Sequence, residues 1–336
     1  MKQRKKYAVI TAVSAVLFVL MSLAVYAAET ADTAAPAAGG SILTRWLPYF
    51  IAGIANGGQY ALIAIGYTMV YGILRLINFA HGDIFMCAGL MMVYLSATMP
   101  VCFAIPVVIV LTVLLGFLVE RLAYKPLRSA PRMSVMISAI GVSYLLQNFA
   151  WYATGGLAKQ YPTLNFLTNT VKIGPVQVKM VTIITPFLTV VLVLLLQLLI
   201  KKTKVGMAMR AVSFDFETSR LMGVKINSVI SVTFIIGSFL AAMGSVLYFS
   251  AYTTVTPTVG AMPGLKAFVA AVFGGIGSIP GAVIGAFVIG IVENIIKGIA
   301  NGAYSTFSDA FTFALLIIIL VVKPTGLFGE NLKEKV

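Results

Sequence analysis

Charge is scarce in this chain of 336 residues: Asp, Glu, Lys and Arg together make up 10% of it, and only 10 residues are acidic. A soluble domain carries about 25% charged residues, so this surface cannot be that of a soluble enzyme or a disordered tail. Histidine occurs once, at His81, and cysteine twice, at Cys87 and Cys102. Two cysteines in apolar stretches exclude a disulfide-stapled module and any metal-ligand spacing, and buried packing is expected of both. One His with Asp83 beside it is too little for a hydrolase, and no Ser, Cys or second His stands in a motif that would complete a triad. There is no P-loop either. The nearest Gly-rich string, Gly274-Gly275-Ile276-Gly277-Ser278-Ile279-Pro280-Gly281, lacks the Lys-Ser/Thr that a phosphate site needs.

What the chain has in excess is apolar length. About 60% of it, roughly 202 residues, is hydrophobic, and one membrane crossing takes about 20. That allows about ten crossings. Continuous rather than alternating runs argue against an outer-membrane barrel. The expected class is all-α, a polytopic membrane bundle of about 8–10 helices.

Residues 1–28 have a basic start (Lys2, Arg4, Lys5, Lys6), a long apolar run and small residues at Ala27 and Ala28. This is the layout of a signal peptide, and the run is also long enough to remain as a signal anchor. Residues 29–42 read as an extracytoplasmic linker, 43–330 as the transmembrane domain, and 331–336 as a cytoplasmic tail. Nine further apolar runs follow the linker: 46–74, 79–98, 101–120, 133–154, 180–200, 228–250, 264–278, 281–300 and 305–322. Run 46–74 is long enough to hold a broken helix or two short ones. The net charge of +14 gathers in clusters around Arg121–Arg132, Lys201–Lys225 and Lys323–Lys335. Under the positive-inside rule these face the cytoplasm. Parity then requires run 264–278 to cross or to pair with its neighbour. No internal repeat is visible, although inverted repeats in transporters are often too weak to see.

Four groups of residues can carry function. The polar island Asn78-Phe79-Ala80-His81-Gly82-Asp83 reads either as a turn with Asn78 or Asp83 as a helix cap or as a gate in a pathway. Gly274, Gly275 and Gly277, with the Gly281/Gly285 step, permit either close helix packing or a broken helix lining a path. Glu293 and Lys297 lie four apart on one helical face, as a structural ion pair or a proton relay. The segment 203–227 places Met209, Val212 and Phe216 at helical spacing among charges. It reads as a partner-docking helix or as an amphipathic helix on the membrane surface, with Gly223 as its stop.

Several of these stretches resemble one family. Ala61-Leu62-Ile63-Ala64-Ile65-Gly66-Tyr67-Thr68-Met69-Val70-Tyr71-Gly72, followed by Ile77 to Asp83, is similar to the signature of branched-chain amino-acid ABC importer permeases of the H type. Glu120-Arg121-Leu122-Ala123-Tyr124-Lys125-Pro126-Leu127-Arg128, the 206–224 loop, Lys266 to Gly281 and Lys323-Pro324-Thr325-Gly326-Leu327-Phe328-Gly329 match too. The resemblance spans about 43–336. It departs from the family at the 1–42 extension and at Asp83, where many relatives carry Glu.

The resemblance implies a permease subunit of the inner membrane that forms the path for branched-chain or related neutral amino acids; urea or short amides are the alternative cargo. It implies a second similar permease, two cytoplasmic ATPases that hold the ATP, and an extracytoplasmic binding protein, with no cofactor on this chain. It assigns the 206–224 loop to coupling. Arg210, Phe214, Asp215, Phe216, Glu217, Ser219 and Gly223 are the coupling candidates. Asn78, His81, Asp83, Gly274, Gly275 and Gly277 are the pathway candidates. Two rival classes stand beside this reading: an ion-coupled secondary transporter using Glu293 or Asp83, and a membrane enzyme using His81 and Asp83.

Overall fold

The computed structural model describes residues 42–128, 130–173, 176–299, 305–323 and 325–328. The leader 1–28, the linker as far as Ser41 and the tail 331–336 lie outside them.

All nine apolar runs become helices. They are α1 (Ile42–Leu74), α2 (His81–Ser96), α3 (Val101–Val119, continued by a π turn through Tyr124), α4 (Arg132–Thr154), α6 (Met180–Lys202), α9 (Ile226–Ala251), α10 (Ala261–Gly274), α11 (Ile279–Gly298) and α12 (Ser308–Val322). Among the described residues there are also three short α-helices, α5 (Asn165–Thr168), α7 (Lys204–Phe214) and α8 (Phe216–Leu221), and a 3₁₀ turn at Ser305–Phe307. Among the described residues, five segments are long and apolar enough to cross a membrane: Val101–Tyr124, Met133–Thr154, Met180–Lys202, Ile226–Ala251 and Ile279–Gly298. There are two small antiparallel ladders: β1 (Lys159–Gln160) in the loop after α4 pairs with β4 (Thr254–Val255) after α9, and within that loop β2 (Thr170–Ile173) pairs with β3 (Val176–Lys179).

The run 46–74 is one unbroken helix. Its 33 residues extend roughly 50 Å. Asn56, Gly57, Gly58 and Gln59 do not break it, because a backbone withdrawn from water must satisfy its own polar groups. Instead they let neighbours close in. A Cβ on Gly53 would lie 2.8 Å from Ile291 Cα, and one on Gly57 2.7 Å from Phe287 Cα. Thus α11 lies antiparallel against α1, while α9, α10 and α6 cover its other sides. The core runs along α1, where residues 55 to 70 are all buried. Outside this core, α3 and α6 expose Phe103, Val110, Leu114, Phe187, Leu194 and Leu198, a face suited to lipid. Cys87 is buried in α2 as expected, but Cys102 is exposed. It sits on α3, a helix apolar all round, so an apolar neighbourhood in sequence does not mean a buried one in space.

The helices form two halves with matching spacing. Val101 and Ile279, which open α3 and α11, are 178 residues apart, as are Ser96 and Gly274, which close α2 and α10. The ends of α1 and α9 differ by 177. The contacts match as well: α1 packs on α10 and α11, and α9 packs on α2 and α3. The two halves run in opposite senses. Gly237 in α9 lies by Gly66 and His81, and Phe249, further along, lies by Gly89 in α2; α9 and α2 therefore run together. In the other half, Gly274 abuts Gly281 and Ala270 abuts Gly285, so α10 runs against α11 and hence along α1. This is an inverted repeat.

Candidate functional site

The inverted halves meet at the starts of α2 and α10. Each is a short helix of 16 and 14 residues, roughly 20–24 Å long, and each begins midway along its neighbours. The α2 start lies by Gly66 of α1, where a Cβ would overlap the His81 ring. At the seam a Cβ on Gly82 would stand 2.7 Å from Gly260 O and 3.1 Å from Gly264 Cα. Gly82 is therefore a helix contact rather than the turn residue that sequence suggests.

No side chain caps α2; its N-cap is Ala80. Both expected caps are engaged elsewhere. Asn78 Oδ1 accepts from Tyr124 OH at 2.7 Å. Asp83 accepts from Ser143 Oγ at 2.5 Å and from Gln147 Nε2 at 3.0 Å, both on α4. His81 is buried with its ring 5.0 Å from Tyr67. Its Nε2, like Asn78 Nδ2, has no hydrogen-bond partner among the described residues. Beside this seam, between Tyr67, Tyr71, Ile77 and Phe268, lies a space of about 10 Å³, room for at most one water.

Gly274, Gly275 and Gly277 lie elsewhere, at the far end of α10, and form the turn into α11. Gly275 and Gly277 have φ of 104° and 100°, a backbone region that favours glycine. The C-terminal segment seals this turn, as Leu327 and Phe328 N–H donate to Phe273 O and Gly274 O, each at 2.9 Å.

Glu293 and Lys297 pair at 2.5 Å, but they are half of a larger cluster. Lys266 Nζ reaches Glu293 at 2.9 Å and Asp309 at 2.6 Å, and Tyr60 OH donates to Glu293 Oε2 at 2.9 Å. Two cations, two carboxylates and the Tyr60 hydroxyl thus tie α1, α10, α11 and α12 together. Such pairing lowers the cost of charge inside a membrane. Lys266 alone in an apolar run was the signal available in sequence; which carboxylates it meets depends on helix packing.

At the basic end, α7 and α8 form an angled pair rather than one helix. Thr203 caps α7 through Gly206 N–H. Asp215 caps α8, with Oδ1 accepting from Glu217 N–H at 2.9 Å and Thr218 N–H at 3.2 Å, and Oδ2 from Thr218 OH at 2.6 Å. The Thr218 hydroxyl, and then the Thr218 amide, hold the Asp215 carboxyl below its ordinary range. Met209 and Val212 face inward together as expected. Phe216 falls beyond the break and packs inward from α8, as does Ser219. Phe214, Leu221 and Met222 point out, each at least 80% exposed. Arg210, Asp215 and Glu217 are also exposed. Gly223 ends the pair with φ 82°.

Beside α8 opens a cavity of about 720 Å³ lined by Leu74, Leu76, Tyr124, Phe216, Arg220 and others. Tyr124, missed in sequence, borders the cavity and also holds Asn78. Arg75 Nη2 donates to Ser213 O of α7 at 3.2 Å, a second tie between this end and the α1–α2 turn.

The family described as branched-chain amino acid transport system / permease component matches residues 49–320. The high-affinity branched-chain amino acid transport system permease protein BraD of Pseudomonas aeruginosa is 38% identical over 305 residues, covering 87% of this chain and 98% of that protein. The corresponding protein LivH of Escherichia coli is 37% identical over 304 residues, with the same coverage. A probable branched-chain amino acid transport permease of Methanocaldococcus jannaschii is 26% identical over 284 residues, 81% of this chain and 89% of its own. The apolar helices, the inverted halves and these likenesses converge: the chain is a multi-pass membrane protein of the branched-chain amino acid transport permease family.

Proposed function

We propose that the chain is the permease subunit of an ATP-driven importer of branched-chain or related neutral amino acids. It works with a second permease, two cytoplasmic ATP-binding subunits and an extracytoplasmic binding protein. The observation that carries this is the α7–α8 pair, which presents Phe214, Leu221 and Met222 to the basic end while its inner face meets the cavity below Asn78. Large apolar groups on a solvated surface favour a protein partner. A rotation of α8 by an ATPase would reach Phe216, the cavity, Tyr124 and the turn at Asn78 in sequence. The unpartnered Asn78 Nδ2 and His81 Nε2 suit a path that passes polar groups. Unpaired buried atoms of this kind cost about 1–3 kcal/mol each, and a passing zwitterion or water would pair them. The relatives' names favour branched-chain amino acids over urea or amides.

The test is a Phe214→Ser, Leu221→Ser variant reconstituted with its partners. Both residues point outward, whereas Phe216 packs inward and its loss would confound folding with coupling. Assembly in the membrane is expected to persist while uptake is lost and ATP hydrolysis no longer responds to the loaded binding protein. Normal uptake would sink the coupling role. Uptake by the chain alone, driven by a proton or sodium gradient, would replace the importer with a secondary transporter.

A further inference from the structure

The inverted repeat gives the turn at Asn78 a counterpart. Gly82 and Gly260 are 178 residues apart and touch one another, so the chain before Gly260 stands in one half where the chain before Gly82 stands in the other. Asn78 then corresponds to Thr256, and the basic-end turn 75–80 to 253–258 within the opposite-end turn 252–260. Each turn leads from a long helix into a half-helix that starts at the shared seam, and each is pinned by a segment on its own surface. The basic-end turn is held by Tyr124 and by Ser213 of α7. The opposite turn is held by the loop after α4: Lys159 pairs with Val255 and Gln160 with Thr254. Tyr161 N–H also donates to Thr253 O at 2.8 Å. Lys179 Nζ reaches Ala251 O at 3.1 Å, and Tyr252 OH reaches Asn56 Oδ1 at 3.1 Å.

We infer that turn 252–260 is the outward gate of the path, that the β1–β4 ladder is its latch, and that it opens only when the turn at 75–80 closes. The exclusion comes from the seam. Gly82 and Gly260 meet backbone to backbone, so neither half-helix start can move into the other's place without displacing it. Packed elements of this kind switch between discrete arrangements. The latch ties the gate to the loop after α4, as Arg75 ties its counterpart to α7. A protein landing on that loop would thus act on the outward gate as an ATPase acts on the inward one. This rests on the importer reading.

The experiment uses the assembled complex, with Cys87 and Cys102 replaced by Ala. Gln160→Cys with Thr254→Cys places two thiols on directly paired strand positions, a separation a disulfide can bridge. Oxidation is expected to abolish uptake, leave basal ATP hydrolysis in place and be reversed by a reductant. In separate single variants, Thr258→Cys, which is exposed, and Leu76→Cys, which lines the cavity, are labelled with a membrane-impermeant maleimide from their own sides. Labelling is expected to be reciprocal between nucleotide-free and ATP-trapped complexes. Wild-type uptake by the oxidised complex, or two labels that rise and fall together, would overturn the inference while the importer reading stands. If no ATPase assembles with the unmodified chain, the importer reading fails and takes the gate with it. If the double cysteine variant does not assemble, the single-label measurement decides alone.

Discussion

Glu293 shows how much one side chain can hold. Its carboxylate is buried and receives Lys266, Lys297 and Tyr60. Breaking a buried pair by removing one partner costs about 3–5 kcal/mol, because the other charge is left unpaired. Glu293→Gln should therefore lower the stability of the purified complex by about that amount, seen as a fall in its thermal unfolding midpoint. Lys297→Met removes a cation whose side chain is 33% exposed and should cost only about 0–1 kcal/mol. Equal losses would mean that Lys297, not Lys266, is the main partner. Asp215 makes a different kind of statement. Its carboxyl is depressed by its bonds to Thr218 and Glu217, so its contribution is complete above the ordinary Asp value near 3.8. That contribution is lost as pH falls through the lower folded value. Amides 217 to 221 should exchange hydrogen faster in Asp215→Ala at neutral pH, and wild type should approach the variant only in acid. Unchanged exchange would show that α8 does not depend on this cap.

At the scale of elements, glycine decides which helices can touch. A Cβ on Gly285 would overlap Ala270 O and crowd Gly274, whereas one on Gly72 would meet nothing closer than Gly277 Cα at 3.9 Å. Gly285→Ala should destabilise by about 1–3 kcal/mol through overpacking. Gly72→Ala should be neutral or gain up to about 1 kcal/mol from helix propensity. Thermal unfolding of the two variants checks the contrast, and matching midpoints would refute it. The long helices were legible in sequence, because a run of apolar residues reports its own length, but the Gly281/Gly285 step read there as either a packing surface or a broken helix. Depth was not legible. The runs 79–98 and 264–278 are apolar like their neighbours, and nothing in their hydropathy says that α2 and α10 begin midway along α1. The break at Asp215 also escaped, since Met209, Val212 and Phe216 suit one continuous helix until the Asp215 carboxylate caps a second. Lys266 was visible as a charge in an apolar run, but its partners Glu293 and Asp309 lie on α11 and α12 and are joined to it only by the fold.

For the whole molecule, the repeat makes a demand that no single element makes. If Gly82 and Gly260 occupy equivalent places in the two halves, their replacements strain one contact from opposite sides. A Cβ on Gly82 points at Gly260 O, and a Cβ on Gly260 points at Gly82 O and Met86 Cβ. Each Ala variant should cost about 1–3 kcal/mol. Residues in direct contact do not add, with coupling of about 0.5–3 kcal/mol. Once one methyl has forced the half-helices apart, the second enters space already opened. The double variant should therefore lose less stability than the two singles together. The singles should also favour opposite states: whichever gate Gly82→Ala props open in the maleimide measurement, Gly260→Ala should prop open the other. Additive stabilities with identical labelling would mean that the two glycines are merely near each other. The matched spacing of the halves would then be architecture without a shared switch.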